Sequence, residues 1–323
     1  MKRLLDILDR DSPSPPAEVL ADRYRGTMLG LAAGNILGLP VESHSRALIA
    51  RRHPEGVRDI PREEQRLPWD DDLAQAVILA ESILENDHLD VEDLAVRLLG
   101  WRRANGRGIG HHTRRVLDAI ESGAAVGDAA RVVWEESGQN AAGNGALMRC
   151  APAALRWRRD PERLVAETNR SALVTHHDPR CGWSSVVVNT AIAAALEGRR
   201  LDPGDLADAV DDAGAPATVG IAVRASDGVI LDALALDHDN TMGYTLKTMQ
   251  AGLWALAQDA SAEATLIAIV NAGGDTDTNG AVAGAMLGAY HGATALPARW
   301  IENISATSEL TDLADQLMER ASG

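Results

Sequence analysis

Phenylalanine is absent from this chain, and aromatic residues of all kinds fill only 3% of its 323 positions. Thick aromatic layers are thereby excluded from the core. With 46% hydrophobic content, Ala, Leu, Val and Gly must build it, and such small side chains imply close helix–helix packing. Cysteine is nearly absent too. Cys150 and Cys181 stand far apart with no CxxC, so neither a zinc site nor a disulfide scaffold is indicated and a reducing cytoplasm fits. Positive charge is scarce: 31 Lys and Arg face 47 Asp and Glu, a formal net charge of −16. That argues against a nucleic-acid backbone as main partner and against an anionic membrane surface. No run of alternating β-branched residues appears, which leaves helices as the building material. The most apolar stretch, Gly280 to Leu296, follows directly on aspartates and contains His291, so it reads as a buried core helix rather than a membrane span. The opening MKRLLDILDRDSPSPPAE carries charges inside its apolar part and is unlike a signal peptide. Residues 1–18 read as a leader broken by Ser12 to Pro16, and residues 19–323 as one all-α domain.

What the chain does have is concentrated in a few places. Asn271 to Gly292, NAGGDTDTNGAVAGAMLGAYHG, begins with two glycines that break the preceding helix. Asp275, Thr276, Asp277 and Thr278 then set two carboxylates and two hydroxyls on consecutive residues at the start of a new helix. A single such residue is an ordinary N-cap. Four crowded oxygens suit a hard cation such as Mg²⁺, Mn²⁺ or Ca²⁺, provided partners come from elsewhere. Gly280, Gly284, Gly288 and Gly292 follow at every fourth position and line one helix face. The helix beginning near Asp22 has the same spacing in Gly26, Gly30, Gly34 and Gly38, and it ends at Pro40 just before Glu42. Two glycine-faced helices at opposite ends of the chain suggest partners that cross closely.

Residues 43–68 are polar and punctuated by Arg, His and Pro, and read as a loop. Next come Asp70, Asp71 and Asp72, heading a helical run with Val77, Ile78, Ile83 and Leu84. A helix N-terminus relieves only part of the repulsion among three adjacent carboxylates, and a bound cation would relieve the rest; a solvated acidic turn is the alternative. NGRGIGHHTRR reads as a glycine-rich loop whose His111 and His112 either meet a phosphate or sugar or are simply exposed. Further helices are expected at Leu94 to Arg103, from Gly143 through Leu155, from Pro161, at Val186 to Leu196, Asp202 to Asp212, Val219 to Leu236, Tyr244 to Ala257, Ala262 to Asn271 and Leu310 to Arg320. No GxGxxG follows a strand and no Walker motif is present, so neither dinucleotide-binding nor P-loop chemistry is supported.

The segments GTMLGLAAGNILGLPVE, WDDDLAQAVILAESIL, NGRGIGHHTRR, GNGALMRCAP, THHDP and GGDTDTNGAVAGAMLGAYHG occur in the order seen in ADP-ribosylglycohydrolases. From about Asp22 to Ile301 the chain resembles that family. The resemblance implies an all-α fold, a single compact orthogonal helical bundle, with two divalent cations (Mg²⁺ or Mn²⁺) in a central cleft. It places metal ligands at Asp70, Asp71 and Asp72, and at Asp275, Asp277 and Thr278. Glu42 falls on the family glutamate and is the candidate base, sharing the catalytic centre with Asp71 and Asp277. Asn144, Gly145, Met148 and His176 of THHDP resemble segments that surround bound ADP-ribose. Asn35, Gly108, Ile109, Gly110, His111 and Gly274 are the other expected ligand contacts, the glycine loop offering N–H groups to the pyrophosphate. The family's commoner pattern has Thr at Asp70, Thr at Leu73, Asp at Asn35, Ser at Ala146, and in arginine-specific bacterial relatives an acidic residue at Gly108. Substrate choice and the identity of the acid/base hang on these departures. The implied function is a cytoplasmic metal-dependent hydrolase that removes ADP-ribose from a protein or small conjugate, with arginine the first acceptor. O-linked ADP-ribose on serine or an acyl group, and a non-catalytic ADP-ribose-binding protein, are the alternatives.

Overall fold

Asp-Pro occurs at 160–161, 178–179 and 202–203, and each pair starts a helix. The aspartate accepts a backbone N–H of the first turn, and the proline occupies a position whose own N–H would have no partner. Asp90 and Ser261 cap two more helices in the same way. The computed structural model describes residues 1–8, 14–60, 69–305 and 307–322. Its helices are α1 (Lys2–Leu8), α2 (Ala17–Gly38), α3 (Arg46–Arg52), α4 (Asp71–Asn86), α5 (Val91–Ala104), α6 (His111–Glu121), α7 (Val126–Glu136), α8 (Ala151–Trp157), α9 (Pro161–Leu173), α10 (Pro179–Leu196), α11 (Pro203–Asp212), α12 (Ala217–Arg224), α13 (Thr245–Ala257), α14 (Ala262–Asn271), α15 (Thr276–His291), α16 (Ala298–Ile301) and α17 (Thr307–Ser322). Among the described residues strand pairing is confined to two-residue strands, β1 (His44–Ser45) and β2 (Gly273–Gly274), paired antiparallel, and an isolated bridge between Gly143 and Tyr244. The fold is all-α.

Its axis is the antiparallel crossing of α2 and α15. A Cβ added at Gly34 would overlap the Gly280 carbonyl oxygen, one at Gly30 that of Gly284, and one at Gly26 that of Gly288. The reverse overlaps hold from the α15 side. Only glycine on both faces allows this approach, in which backbone meets backbone. The seam ends at Gly38, whose carbonyl accepts the Thr276 hydroxyl at 2.8 Å. Beyond it Ser43 N–H bonds the Gly274 carbonyl at 2.8 Å, and β1 continues onto β2. Glu42 is thereby tied in register to Asp275 and Asp277. Around the seam, α13, α10, α14 and α17 supply the core with Leu, Val, Ala and Met, and two of the few aromatics, Trp157 and Trp300, are wholly buried. Helix α1 packs Leu4, Ile7 and Leu8 inward against α11.

The structure corrects several expectations. Residues 43–60 are not all loop: Ser45 accepts the Leu48 N–H and starts α3, which buries only Ile49. One buried residue leaves no apolar periodicity to read. The helix expected through Leu236 stops at Arg224, because Gly228 sits at φ +62° and the next apolar group, Leu231–Leu234, forms only a 3-10 turn. His111 and His112 are not in a loop but open α6, with Gly110 at its N-cap. Helix α7 had no sequence expectation, and α8 begins at Ala151 rather than Gly143. Of the breaker Ser12 to Pro16, the first two residues lie outside the described residues, as do 61–68 of the expected loop. No described helix is long and apolar enough to cross a membrane.

Candidate active site

Two helix N-termini bring their carboxylates together. Asp70 caps α4, with Asp71 and Asp72 in its first turn; Asp275 caps α15, with Asp277 in its first turn. None of these caps bonds its own helix, so the oxygens are left for other partners. Gly273 and Gly274, at φ +81° and +83°, make the corner before Asp275. A Cβ at Gly274 would overlap the Leu236 carbonyl oxygen, so glycine there serves the chain path. Gly108, at φ +77°, lies against the other carboxylates: a Cβ would overlap Asp70 Oδ1 and Asp71 Oδ1.

The ligand oxygens of Glu42, Asp275 and Asp277 lie within 4.8 Å of one another, and so do those of Asp70, Asp72 and Asp277. Asp277 belongs to both triplets. Asp72 Oδ1 and Asp277 Oδ1 are buried with no hydrogen-bond partner. Thr278 Oγ1 donates to Asp72 Oδ2 at 3.4 Å, and Asn144 Nδ2 donates to Asp275 Oδ2 at 2.7 Å and to Thr248 Oγ1 at 2.9 Å. Among the described residues a cation stands beside the cluster at Arg107, whose Nε lies 3.8 Å from Asp70 Oδ1. An all-oxygen donor set with orphaned buried oxygens fits hard divalent cations; among the described residues no thiolate or imidazole joins either triplet.

The cluster opens into a cavity of about 230 Å³. Its wall joins Glu42, Asp70, Asp71, Asp275, Asp277 and Thr278 to Gly108, Gly110, His111, Asn144, Gly145, Met148 and His176. Asp72, Asn35, Ile109 and Gly274 are buried and are not among the residues of this wall. Asn35 is buried, and neither of its amide atoms is hydrogen-bonded. His112, one of the two histidines read as either meeting a phosphate or sugar or being exposed, also lines the cavity, as do Thr113 and Gly143, of which no ligand role was expected. They sit inside the quoted segments NGRGIGHHTRR and GNGALMRCAP, so proximity to a motif was the available signal.

Burial first, and then neighbouring carboxylates, raise the proton affinities here. Asp71, Asp72 and Asp277 are held well above the usual carboxylate range, Asp277 by Asp72, Asp275 and Glu42. Glu42, at the lip, is raised by partial burial, Asp275 and Asp70. In the metal-free protein each of these groups binds its proton more tightly folded than unfolded. Their contribution to stability is complete below an ordinary carboxylate pKa of about 4 and is lost as pH rises through the raised folded-state values. Thermal melts in EDTA should therefore show falling stability from about pH 4 towards neutrality. A divalent cation at about 100 times its dissociation constant should add roughly 2.7 kcal/mol. Binding should release protons, so the apparent affinity and the melting shift should be larger near pH 8 than near pH 5. Equal shifts at both pH values would contradict the assignment.

The chain is similar to known proteins over nearly its whole length. A family model described as ADP-ribosylglycohydrolase matches residues 16–323. An uncharacterized protein of Archaeoglobus fulgidus is 31% identical over 318 residues, 93% of this chain and 97% of that one. An ADP-ribosylarginine hydrolase, Tri1, of Serratia proteamaculans is 26% identical over 320 residues, 95% of this chain and 81% of that one. A solved structure described as an ADP-ribosylglycohydrolase-related protein complex superposes with a TM-score of 0.74 at 32% identity, covering 94% of this chain and 99% of the other.

Proposed function

Because this chain belongs to the ADP-ribosylglycohydrolase family and is a hydrolase of ADP-ribose linkages, we propose that its acidic cavity frees ADP-ribose from modified protein arginine. The observation that carries this reading is the pair of carboxylate triplets that share Asp277, a residue of the cavity wall. Glu42, Asp275 and Asp277 would hold one divalent cation and Asp70, Asp72 and Asp277 a second. When bound, such ions supply Lewis-acid stabilisation and lower the pKa of water. Cleavage develops positive charge on the ribose ring, and the carboxylates around it provide the matching field. His111, His112 and Thr113, whose N–H groups open α6 without a side-chain cap, line the same cavity, and such a helix start suits a pyrophosphate. Asn144 orients Asp275 from behind.

Two carboxylates are candidates to take the proton of the attacking water. Glu42 stands at the lip, and Asp71 lines the wall without belonging to either triplet. Glu42→Gln and Asp71→Asn separate them. The base is the residue whose loss lowers kcat by roughly 10²–10⁴ and removes the acid limb of the pH–rate profile.

One feature favours a second acceptor class. Arg107 places a guanidinium beside Asp70, where a cationic leaving group would be repelled and a serine or acyl oxygen would not. Peptides ADP-ribosylated on arginine and on serine, compared at equal concentration with Mg²⁺, decide the matter. Faster release from arginine supports the proposal; release from serine alone replaces it; tight binding without release from either would make the protein an ADP-ribose-binding module.

A further inference from the structure

Beneath the cavity wall lies a buried cation that the reading above does not use. Arg149, in the turn that leads into α8, is fully buried, and its hydrogen-bond partners are all neutral. Nη1 donates to Gln75 Oε1 at 2.8 Å and to the Gly145 carbonyl at 3.0 Å. Nη2 donates to the Ser171 carbonyl at 3.3 Å and to Thr175 Oγ1 at 2.7 Å. One guanidinium thus ties together α4, the Gly143–Gly145 turn and the turn after α9. Burial lowers its pKa only to about 10, so it stays charged at neutral pH.

Its effect on Thr175 has a consequence for His176. The Thr175 oxygen accepts from Arg149, and the same hydroxyl lies 2.8 Å from His176 Nδ1. A hydroxyl has one proton, and with its oxygen already accepting from a cation that proton is available for His176 Nδ1. Burial first, then His112 and Arg149, hold His176 well below the ordinary histidine range, so its ring is neutral. A neutral imidazole that accepts at Nδ1 carries its hydrogen on Nε2.

That edge of the ring faces glycine. A Cβ at Gly145 would lie 2.9 Å from His176 Cε1 and 3.2 Å from Nε2, and one at Gly143 would lie 3.5 Å from Nε2. Side chains there would cover the nitrogen; glycine leaves it open to the cavity, whose wall all three residues share. The neighbouring ring has the same tautomer but a different target. His112 Nε2 lies 3.0 Å from the Thr175 carbonyl, which can only accept, so its hydrogen is directed at the backbone.

We infer that Arg149 and Thr175 are positioning residues: the guanidinium orients the Thr175 hydroxyl, which fixes His176 as an Nε2–H donor aimed at an acceptor oxygen of the bound ligand. The proposed function enters only in naming that ligand as the ADP-ribosyl group, through a phosphate or hydroxyl oxygen.

The test reads the tautomer and the kinetics separately. Nitrogen and carbon NMR shifts of labelled histidine, assigned with His176→Gln, should show a neutral Nε2–H ring for His176 in the wild-type protein at about pH 7. Thr175→Val, nearly isosteric, should abolish the single-tautomer signature. It should raise KM for the ADP-ribosylated substrate, and Kd for free ADP-ribose, roughly tenfold, with kcat within about twofold. Thr175→Ser should restore both. Arg149→Lys keeps the charge but not the fork, and should give mixed tautomers. A wild-type His176 protonated on Nδ1, or a Thr175→Val protein with unchanged signature, overturns the inference; an unchanged signature in Arg149→Lys overturns its Arg149 half. Because the tautomer is read without substrate, the expected signature in a protein that releases no ADP-ribose would support the relay and count against the proposed function alone.

Discussion

Replacing Gly34 by Ala should destabilise the protein by about 3 kcal/mol or more, whereas the same change at Gly100 should stabilise it by up to ~1 kcal/mol. Both glycines lie inside helices, α2 and α5, so helix propensity favours alanine equally at each. Space decides the sign. Nothing lies within 4 Å of a Cβ at Gly100, while one at Gly34 would overlap the Gly280 carbonyl oxygen. No flexible side chain is there to yield; α2 and α15 would have to separate along the crossing. The damage should reach the site as well, because the seam ends where Gly38 packs on Thr276 and Asp277 and sets Glu42 against them. Urea melts of the two variants, with cation titrations, check this. Gly34→Ala should lower both stability and cation affinity, and equal, small effects at the two glycines would contradict the packing account.

Asp277→Asn should reduce ADP-ribose release by roughly 10³-fold or more, since the one carboxylate common to both triplets is lost. The same substitution should stabilise the metal-free protein at neutral pH. Asp277 is buried, and Asp72, Asp275 and Glu42 all repel its charge. A neutral amide of the same shape removes that repulsion, and Tm should rise by roughly 2–4 °C for each kcal/mol relieved. The increment that Mg²⁺ gives the wild type should disappear. Inactivity with a higher metal-free Tm separates loss of a ligand from loss of the fold; a lower Tm with a retained Mg²⁺ increment would contradict the site.

The carboxylate cluster was legible because each half is a run of acids at a helix start, next to a break in the apolar pattern. The seam was legible because glycine at every fourth residue is a one-dimensional signature of a close three-dimensional contact. Other features left no such trace. Helix α3 buries Ile49 alone, and Leu231–Leu234 has helical composition but follows a left-handed Gly228. Arg149 reads as one more charge in GNGALMRC, yet it spans from Gln75 on α4 to Ser171 in the last turn of α9 and Thr175 just after it. Gly274 sits inside the strongest motif of the chain but is off the cavity wall, held by its approach to Leu236. Local pattern places charged groups on elements; which oxygens converge, and which residues lie behind them, is fixed by contacts hundreds of positions apart.

The most direct test of the account is release of free ADP-ribose from an arginine-ADP-ribosylated protein with Mg²⁺, with EDTA, and with Asp275→Ala plus Asp277→Ala. The account predicts release with Mg²⁺, none with EDTA, recovery when the cation is returned, and none from the double variant under any condition. Release that persists in EDTA, or in the double variant, would contradict a reaction centred on the shared carboxylates of α4 and α15.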